Sequence, residues 1–289
     1  MSVKKEPNGR RSVQVEFEVP GTPEEVWQAL ATGPGISSWF VPTDIDERDG
    51  KPVAVNYHFG PGIEIRSVIT AYDEPRTFAQ EGEGMTPGAP PIATEWRIEA
   101  RSGGSCTVRF VHSLFASTDD WDNQLEMAKG GWAGFLNILR IYLKHFSGQR
   151  SAIMQVTTPI ASTEAEAWET LTAALGIKGV SVGQRWTTPA GVSPLGGVVE
   201  LVTENPYDAL LRLDKPGPGI AALGAVTYPN GGPTVAAMNL YMYGDKAAET
   251  VARETPVWQA FFQELFPMPA EIESKCESSR SSNTSRSTA

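Results

Sequence analysis

Cysteine and histidine are scarce in this chain, which has two cysteines and three histidines among 289 residues. Cys106 lies in a probable strand and Cys276 in a serine-rich segment, so a disulfide framework is excluded. His58, His112 and His145 lack the spacing of metal ligands, and no cluster of cysteines accompanies them. The sequence therefore predicts no metal ion and no cofactor.

Motifs that indicate catalysis are missing as well. The chain contains neither a G-x-S-x-G nucleophile elbow nor a Walker A loop. Its Gly-Pro-Gly segments, at 33–35, 60–62 and 217–219, indicate turns because none of them fits the dinucleotide-binding pattern G-x-G-x-x-G. These absences favour a non-catalytic protein over an enzyme.

Positive charge is in deficit, since 24 lysines and arginines stand against 34 aspartates and glutamates. The net charge of −10 argues against nucleic acid as a partner, because affinity for phosphates depends on basic side chains. No apolar run reaches the roughly 18 residues of a membrane-spanning helix, so membrane insertion is not expected. The first residues lead directly into an alternating segment without the apolar core of a signal peptide, and we expect a cytoplasmic protein.

What the chain does contain is a repeated helix start. The segments TPEEVWQALATGPGI (22–36) and TEAEAWETLTAALGI (163–177) agree at six of fifteen positions, 141 residues apart. In each segment the first threonine is placed to cap a helix, and a glutamate three residues later completes a capping box. Gly35 and Gly176 are predicted to end the two helices in the left-handed conformation.

Alternating apolar and polar residues surround both helix starts. In the first half they predict one strand at 13–19 and a meander of strands between 52 and 115. Apolar side chains then recur at three- and four-residue steps over 122–146, which is typical of a long amphipathic helix. The second half repeats this order, but the offset between the copies falls from 141 residues at the helix starts to 126 at Trp132 and Trp258. We interpret this as a tandem duplication with a trimmed second copy.

The order of elements resembles the START-like helix-grip superfamily, also called SRPBCC. Within it, the chain is most similar to the bacterial family named after the C-terminal domain of the activator of Hsp90 ATPase (AHSA1-like). The resemblance is carried by VEFEVPGTPEEVWQALATGPGISSWF (15–40), RFVHSLF (109–115) and GGWAGFLNILRIYLKHF (130–146). The second half lacks the SSWF segment and the histidine strand, so its assignment rests on the internal repeat.

The resulting fold class is α+β, with two tandem helix-grip domains that each have a curved antiparallel sheet clasping a long C-terminal helix. We expect a flexible N-terminus at 1–11, an AHSA1-like SRPBCC domain at 12–150 and a divergent, shortened repeat at 151–270. Residues 271–289 hold seven serines and almost no apolar residue, which predicts a disordered tail.

The resemblance implies a deep cavity between sheet and helix that receives apolar or aromatic small molecules. The leading hypothesis is therefore a non-catalytic binding protein whose first domain holds such a ligand. Two alternatives follow from the same resemblance. One is a co-chaperone-like module that acts on Hsp90, as in a bacterial stress response, and the other is a cyclase- or hydrolase-type enzyme that uses His112.

Aromatic side chains with a few polar groups are the usual lining of small-molecule pockets. On this basis the predicted ligand-binding residues of the first domain are Trp39, Phe40, Tyr57, Trp96, Phe110, His112, Trp132 and Phe135. The alternative for each is a place in a solid core.

Three further features leave two interpretations open. His112 alternates with apolar residues on its strand, so it either contacts a ligand or is a core histidine with a structural hydrogen bond. Gly130 and Gly131 lie inside the closing helix, where they either shape the mouth of a cavity or permit close packing. Arg66 and Arg97 are placed to hold an anionic group or to remain solvated.

Overall fold

A computed structural model describes residues 2–5, 10–60, 63–83, 90–115, 122–204, 207–228 and 232–267. The predicted serine-rich tail lies outside the described residues. The chain forms two compact units. Unit 1 comprises Met1–Ile153, Gly217–Ile220 and Tyr241–Glu249, and unit 2 comprises Met154–Pro216, Ala221–Leu240 and Thr250–Ala289.

The first sheet has eight strands. They are β1 (Ser2–Lys5), β2 (Arg10–Pro20), β3 (Thr43–Arg48), β4 (Lys51–Gly60), β5 (Ile63–Asp73), β6 (Thr77–Gly82), β7 (Ile92–Arg101) and β8 (Ser105–Phe115). Their order in the sheet is β1-β2-β8-β7-β6-β5-β4-β3, and every neighbouring pair is antiparallel. The strand that precedes the first capped helix thus lies beside the last strand of the meander.

Three helices accompany this sheet: α1 (Pro23–Ala31), α2 (Gly33–Ser37) and α3 (Asp122–His145). The capping box predicted at the start of α1 is confirmed. The backbone N–H of Glu25 donates to the Thr22 hydroxyl, and the backbone N–H of Thr22 donates to the Glu25 carboxylate at 2.8 Å. Val26, Trp27 and Leu30 of α1 are buried, as expected for an amphipathic helix that covers a sheet.

The predicted role of Gly35 is wrong. It does not have a positive φ, and α1 ends at Ala31, four residues earlier. Gly35 instead lies inside α2, where a Cβ atom would stand 1.8 Å from the carbonyl oxygen of Gln28. Glycine is required here because α2 turns back closely against α1. The same prediction is confirmed at Gly176, which has a φ of +70°.

The second sheet has six strands. They are β9 (Ser151–Ile160), β10 (Arg185–Thr187), β11 (Gly196–Glu204), β12 (Tyr207–Lys215), β13 (Gly219–Thr227) and β14 (Thr234–Tyr243). Their order is β10-β11-β12-β13-β14-β9. The helices are α4 (Glu164–Ala174), which begins with the predicted capping box at Thr163, and α5 (Ala247–Leu265).

Both sheets share one connectivity, in which the strand before the capped helix joins the last strand of the meander. Strands grouped between helices confirm the predicted α+β class. The first sheet has one more meander strand than the second. Its first meander strand, β3, lies at Thr43–Arg48, ahead of the predicted range of 52–115. Ser2–Lys5, within the segment 1–11, form β1 and pair with β2.

No helix within the described ranges has both the length and the hydropathy that crossing a membrane requires.

Candidate functional site

The candidate site lies on one face of the first sheet. Trp96 of β7 pairs directly with Phe110 of β8, and Thr94 pairs with His112 two residues further along. Residues directly opposite each other share a face of an antiparallel sheet, so these four side chains lie together. Trp132 of α3 contacts this face, with its ring centroid 4.5 Å from that of Phe110 and 5.5 Å from that of His112.

All eight residues that the sequence predicted for ligand binding belong to one connected network of ring contacts. Phe40 is its centre, since its ring contacts those of Trp39, Tyr57, Trp132 and Phe135 at centroid distances of 4.5–5.6 Å. Trp96 links Trp39 to the Phe110 side of the network. The sequence missed Phe59, whose ring lies 5.6 Å from that of Phe40.

Burial changes across this network. Phe110, Trp39 and Trp96 are buried, with 0%, 2% and 3% of their surface exposed. Tyr57, Phe59, Trp132 and Phe135 are half-buried. The network therefore has a closed end on β7 and β8 and a partly accessible edge between β4 and α3.

A row of polar side chains crosses the same face. His112 Nδ1 lies 3.1 Å from the Thr94 hydroxyl, so the two form a hydrogen bond. Gln80 of β6 pairs directly with Thr94, and its amide nitrogen donates a hydrogen bond to the Tyr57 hydroxyl. The row thus consists of Tyr57 on β4, Gln80 on β6, Thr94 on β7 and His112 on β8.

One atom in this row has no partner. The Gln80 side chain is 5% exposed, and its Oε1 atom is buried without a hydrogen bond. A buried polar atom without a partner costs roughly 1–3 kcal/mol, so native proteins retain few of them. The position could have been found in the sequence TFAQEG, because Gln80 alternates with Phe78 and therefore shares its buried face.

Burial keeps the titratable members of the row uncharged. It lowers the pKa of His112 to about 4, because the imidazolium form loses its hydration. Burial likewise raises the pKa of the Tyr57 phenol above its ordinary value, against a smaller opposing effect of the Gln80 hydrogen bond. At neutral pH the row offers hydrogen bonds but no charge.

The backbone that carries Trp39 and Phe40 is fixed by three hydrogen bonds within unit 1. The indole N–H of Trp39 donates to the carbonyl of Ala29 at 2.8 Å. The hydroxyl of Tyr241 donates to the carbonyl of Phe40 at 2.8 Å, and that of Tyr243 donates to the carbonyl of Ser38 at 2.7 Å. No local pattern in the sequence marks the two tyrosines, which lie more than 200 positions from their acceptors.

The glycines of α3 do not serve close packing. Cβ atoms built on Gly130, Gly131 and Gly134 would have no neighbouring heavy atom within 4 Å. The helix is also uninterrupted from Asp122 to His145, so the glycines do not end it. They lie within residues 128–135, which are half-buried or exposed, whereas Leu136, Leu139 and several later residues are buried.

The two arginines considered for an anionic ligand form ion pairs at the surface. Arg66 pairs with Asp46 at 3.1 Å, and Arg97 pairs with Glu95 at 2.9 Å. Both arginine side chains are more than half exposed. They do not join the aromatic network. Among the described residues, no group of three or more histidine, cysteine, aspartate or glutamate side chains is arranged to hold a metal ion.

The cavities found among the described residues lie outside the network. One of about 660 Å³ is lined by α2, β3 and residues 149–151. Another, of about 950 Å³, lies along β5 and β6. Within the described part of the chain, the eight predicted residues therefore contact one another instead of lining these cavities.

Comparison with known proteins relates part of the chain to a protein family. Residues 10–138 match the model of a family described as polyketide cyclase / dehydrase and lipid transport. That family is of the SRPBCC helix-grip type, which agrees with the superfamily predicted for the first half. The matched residues include the entire network. No curated protein matches the chain.

Several solved structures are similar at low identity. CalU16 from Micromonospora echinospora is 21% identical over 50% of this chain and 83% of its own, with a TM-score of 0.38. The di-domain ARO/CYC BexL from the BE-7585A biosynthetic pathway is 14% identical over 90% of this chain and 99% of its own, with a TM-score of 0.42. The Aha1 dimer from Colwellia psychrerythraea is 22% identical over 47% of this chain and 98% of its own, with a TM-score of 0.37.

Proposed function

We propose that the aromatic network of unit 1 binds an apolar or aromatic small molecule without catalysing a reaction. The observation that carries this proposal is the combination of eight connected aromatic and imidazole rings with a buried polar row on one face. A core that serves stability alone gains nothing from Gln80, Thr94 and His112, since burying such groups is costly. Ligand sites, in contrast, combine apolar walls with a few polar groups.

The half-buried edge provides the route by which a guest enters. Trp132 and Phe135 are half-buried side chains of α3, and Gly130, Gly131 and Gly134 leave open space beside them. Moving residues 128–135 away from β4 separates Trp132 from Phe40 without disturbing the buried residues from Leu136 onward. The guest then takes the place of ring contacts between α3 and the sheet.

Titration calorimetry with 2-naphthol tests the binding function. The full chain is expected to bind this probe, and Trp132→Leu is expected to weaken binding about tenfold because stacking area is lost. Phe115→Leu is the matched control, since Phe115 lies on β8 with 45% of its surface exposed and outside the network. Absence of binding, or equal weakening by both substitutions, would contradict the proposal.

A second candidate is a cyclase-type reaction in which His112 moves a proton, and it is favoured by the description of the matched family. A pKa of about 4 makes His112 a weak base at neutral pH, which counts against it. Turnover of a polyketide-type substrate that disappears in His112→Gln, with unchanged substrate affinity, would establish this candidate over pure binding.

We further infer that the second sheet with α4 and α5 is a shortened copy of the first domain. Its support is the shared strand connectivity and the two capping boxes. AHSA1-like membership, an Hsp90 partner and a cytoplasmic location stay predictions. The family match lends no support to Hsp90 as a partner.

A further inference from the structure

We propose that Gln80 makes the site selective for neutral aromatic ligands that carry a hydroxyl group. This inference rests on the proposed function and specifies the chemistry of its ligand. It begins from the one atom of the polar row that has no partner, Gln80 Oε1.

The neighbours of Gln80 form hydrogen bonds within the row. Thr94 and His112 bond to each other at 3.1 Å, and the other end of the Gln80 amide bonds to Tyr57. The free end of the amide is thus left on the face that Trp132 and Phe110 cover with their rings. A ligand stacked among these rings would reach it, and the hydrogen bond would remove the cost of the unsatisfied atom.

A hydroxyl group fits this position better than other polar groups do. The amide nitrogen donates to Tyr57, so the free end of the amide presents its oxygen, which only accepts hydrogen bonds. A hydroxyl group can donate a hydrogen bond to this oxygen. An ether oxygen only accepts, and it leaves the observed oxygen unpaired.

The surroundings also disfavour a charged ligand. Gln80 and Thr94 are uncharged, and His112 and Tyr57 are neutral at pH 7 because of their burial. Arg66 and Arg97 are exposed and engaged with Asp46 and Glu95. A carboxylate that entered the row would lose its hydration without gaining a counter-charge.

Three naphthalene probes of similar size test the selectivity. The full chain is titrated with 2-naphthol, 2-methoxynaphthalene and naphthalene-2-carboxylate at pH 7. We expect 2-naphthol to bind roughly tenfold more tightly than its methyl ether, as expected for one hydrogen bond to a buried group, and the carboxylate to bind most weakly. Gln80→Leu should bring the ratio of naphthol to ether close to one. Gln28→Leu, an exposed position on α1, should leave it unchanged.

The outcomes distinguish failure of the selectivity from failure of the proposed binding function. If none of the three probes binds, the proposed binding function fails and the selectivity fails with it. If the wild-type chain binds naphthol and ether equally, or if Gln80→Leu keeps the wild-type ratio, binding stands and the role of Gln80 is refuted. The wild-type comparison needs no variant, so a poorly folded Gln80→Leu protein would not prevent the decision.

Discussion

Thr94 and His112 face each other across β7 and β8, and the threonine hydroxyl lies 3.1 Å from Nδ1 of the imidazole. This hydrogen bond fixes the histidine ring beside Phe110 and Trp132. Burial favours the neutral form of this ring and lowers its pKa, because the imidazolium would lose its hydration.

Stability should therefore depend on pH through His112. Its pKa falls from 6.5 in the unfolded chain to about 4 in the folded protein, so the unfolded state binds more protons between these values. The contribution is fully present above pH 6.5 and is lost as the pH falls towards 4, by about 3 kcal/mol in total. Denaturant unfolding at pH 7 and pH 4.5 measures this loss.

The variant His112→Gln isolates this effect. Its stability should decrease less than that of the wild-type protein between the two pH values, because the carboxylates titrate in both proteins and cancel in the comparison. Identical decreases in the two proteins would show that His112 is not the group responsible.

Two glycines in helices should respond oppositely to alanine. In Gly35→Ala the new Cβ meets the Gln28 carbonyl oxygen, and we expect a loss of about 3 kcal/mol because backbone has to move. In Gly130→Ala the Cβ meets open space, and the better helix propensity of alanine should stabilise the protein by about 1 kcal/mol. Thermal unfolding compares the two variants, and a shared sign would contradict this account.

The hydroxyl of Tyr241 is expected to stabilise the segment that carries Phe40. Tyr241→Phe leaves the Phe40 carbonyl without its donor inside the protein, at a cost of about 2 kcal/mol. Binding of 2-naphthol should weaken as well, since the central ring of the network is less firmly held. Tyr228→Phe serves as the control, because Tyr228 is 49% exposed. Equal stability of both variants would remove the role assigned to Tyr241.

The first capping box can be tested by substitutions that remove or keep the Thr22 hydroxyl. Thr22→Ala removes the acceptor for the Glu25 backbone N–H and should cost about 1 kcal/mol. Thr22→Ser keeps a hydroxyl at the same place and should stay close to wild type. The helical circular dichroism signal and the melting temperature report both variants, and a serine variant as unstable as the alanine variant would argue for a packing role of the threonine methyl group.

Local patterns predicted the parts of the fold that depend on neighbouring residues. The capping boxes follow from three-residue spacing, and the faces of β7 and β8 follow from alternation, which is why the network could be anticipated from Trp96 and Phe110. No single segment of the sequence specifies which residues pair across two neighbouring strands. The row from Tyr57 to His112 therefore emerged only in the structure, although the burial of Gln80 was readable from its neighbour Phe78.

The sequence did not predict contacts between residues that lie far apart in the chain. Tyr241 reaches Phe40 across 201 positions, and no local signal marks such a pair. Gly35 was misassigned for a related reason. A glycine after a helix commonly ends that helix in the left-handed conformation. Here glycine is required because α2 packs closely against the backbone carbonyl of Gln28.

The pairing of β2 with β8 has a consequence for how the protein is made. Arg10 and Ser113, which bond across these strands, are separated by 103 residues. During synthesis β2 leaves the ribosome before the meander. It can pair with β8 only after the whole meander has been synthesised. Pairing strands so far apart costs loop-closure entropy before any contact between them stabilises the sheet. The first sheet should therefore assemble slowly and late.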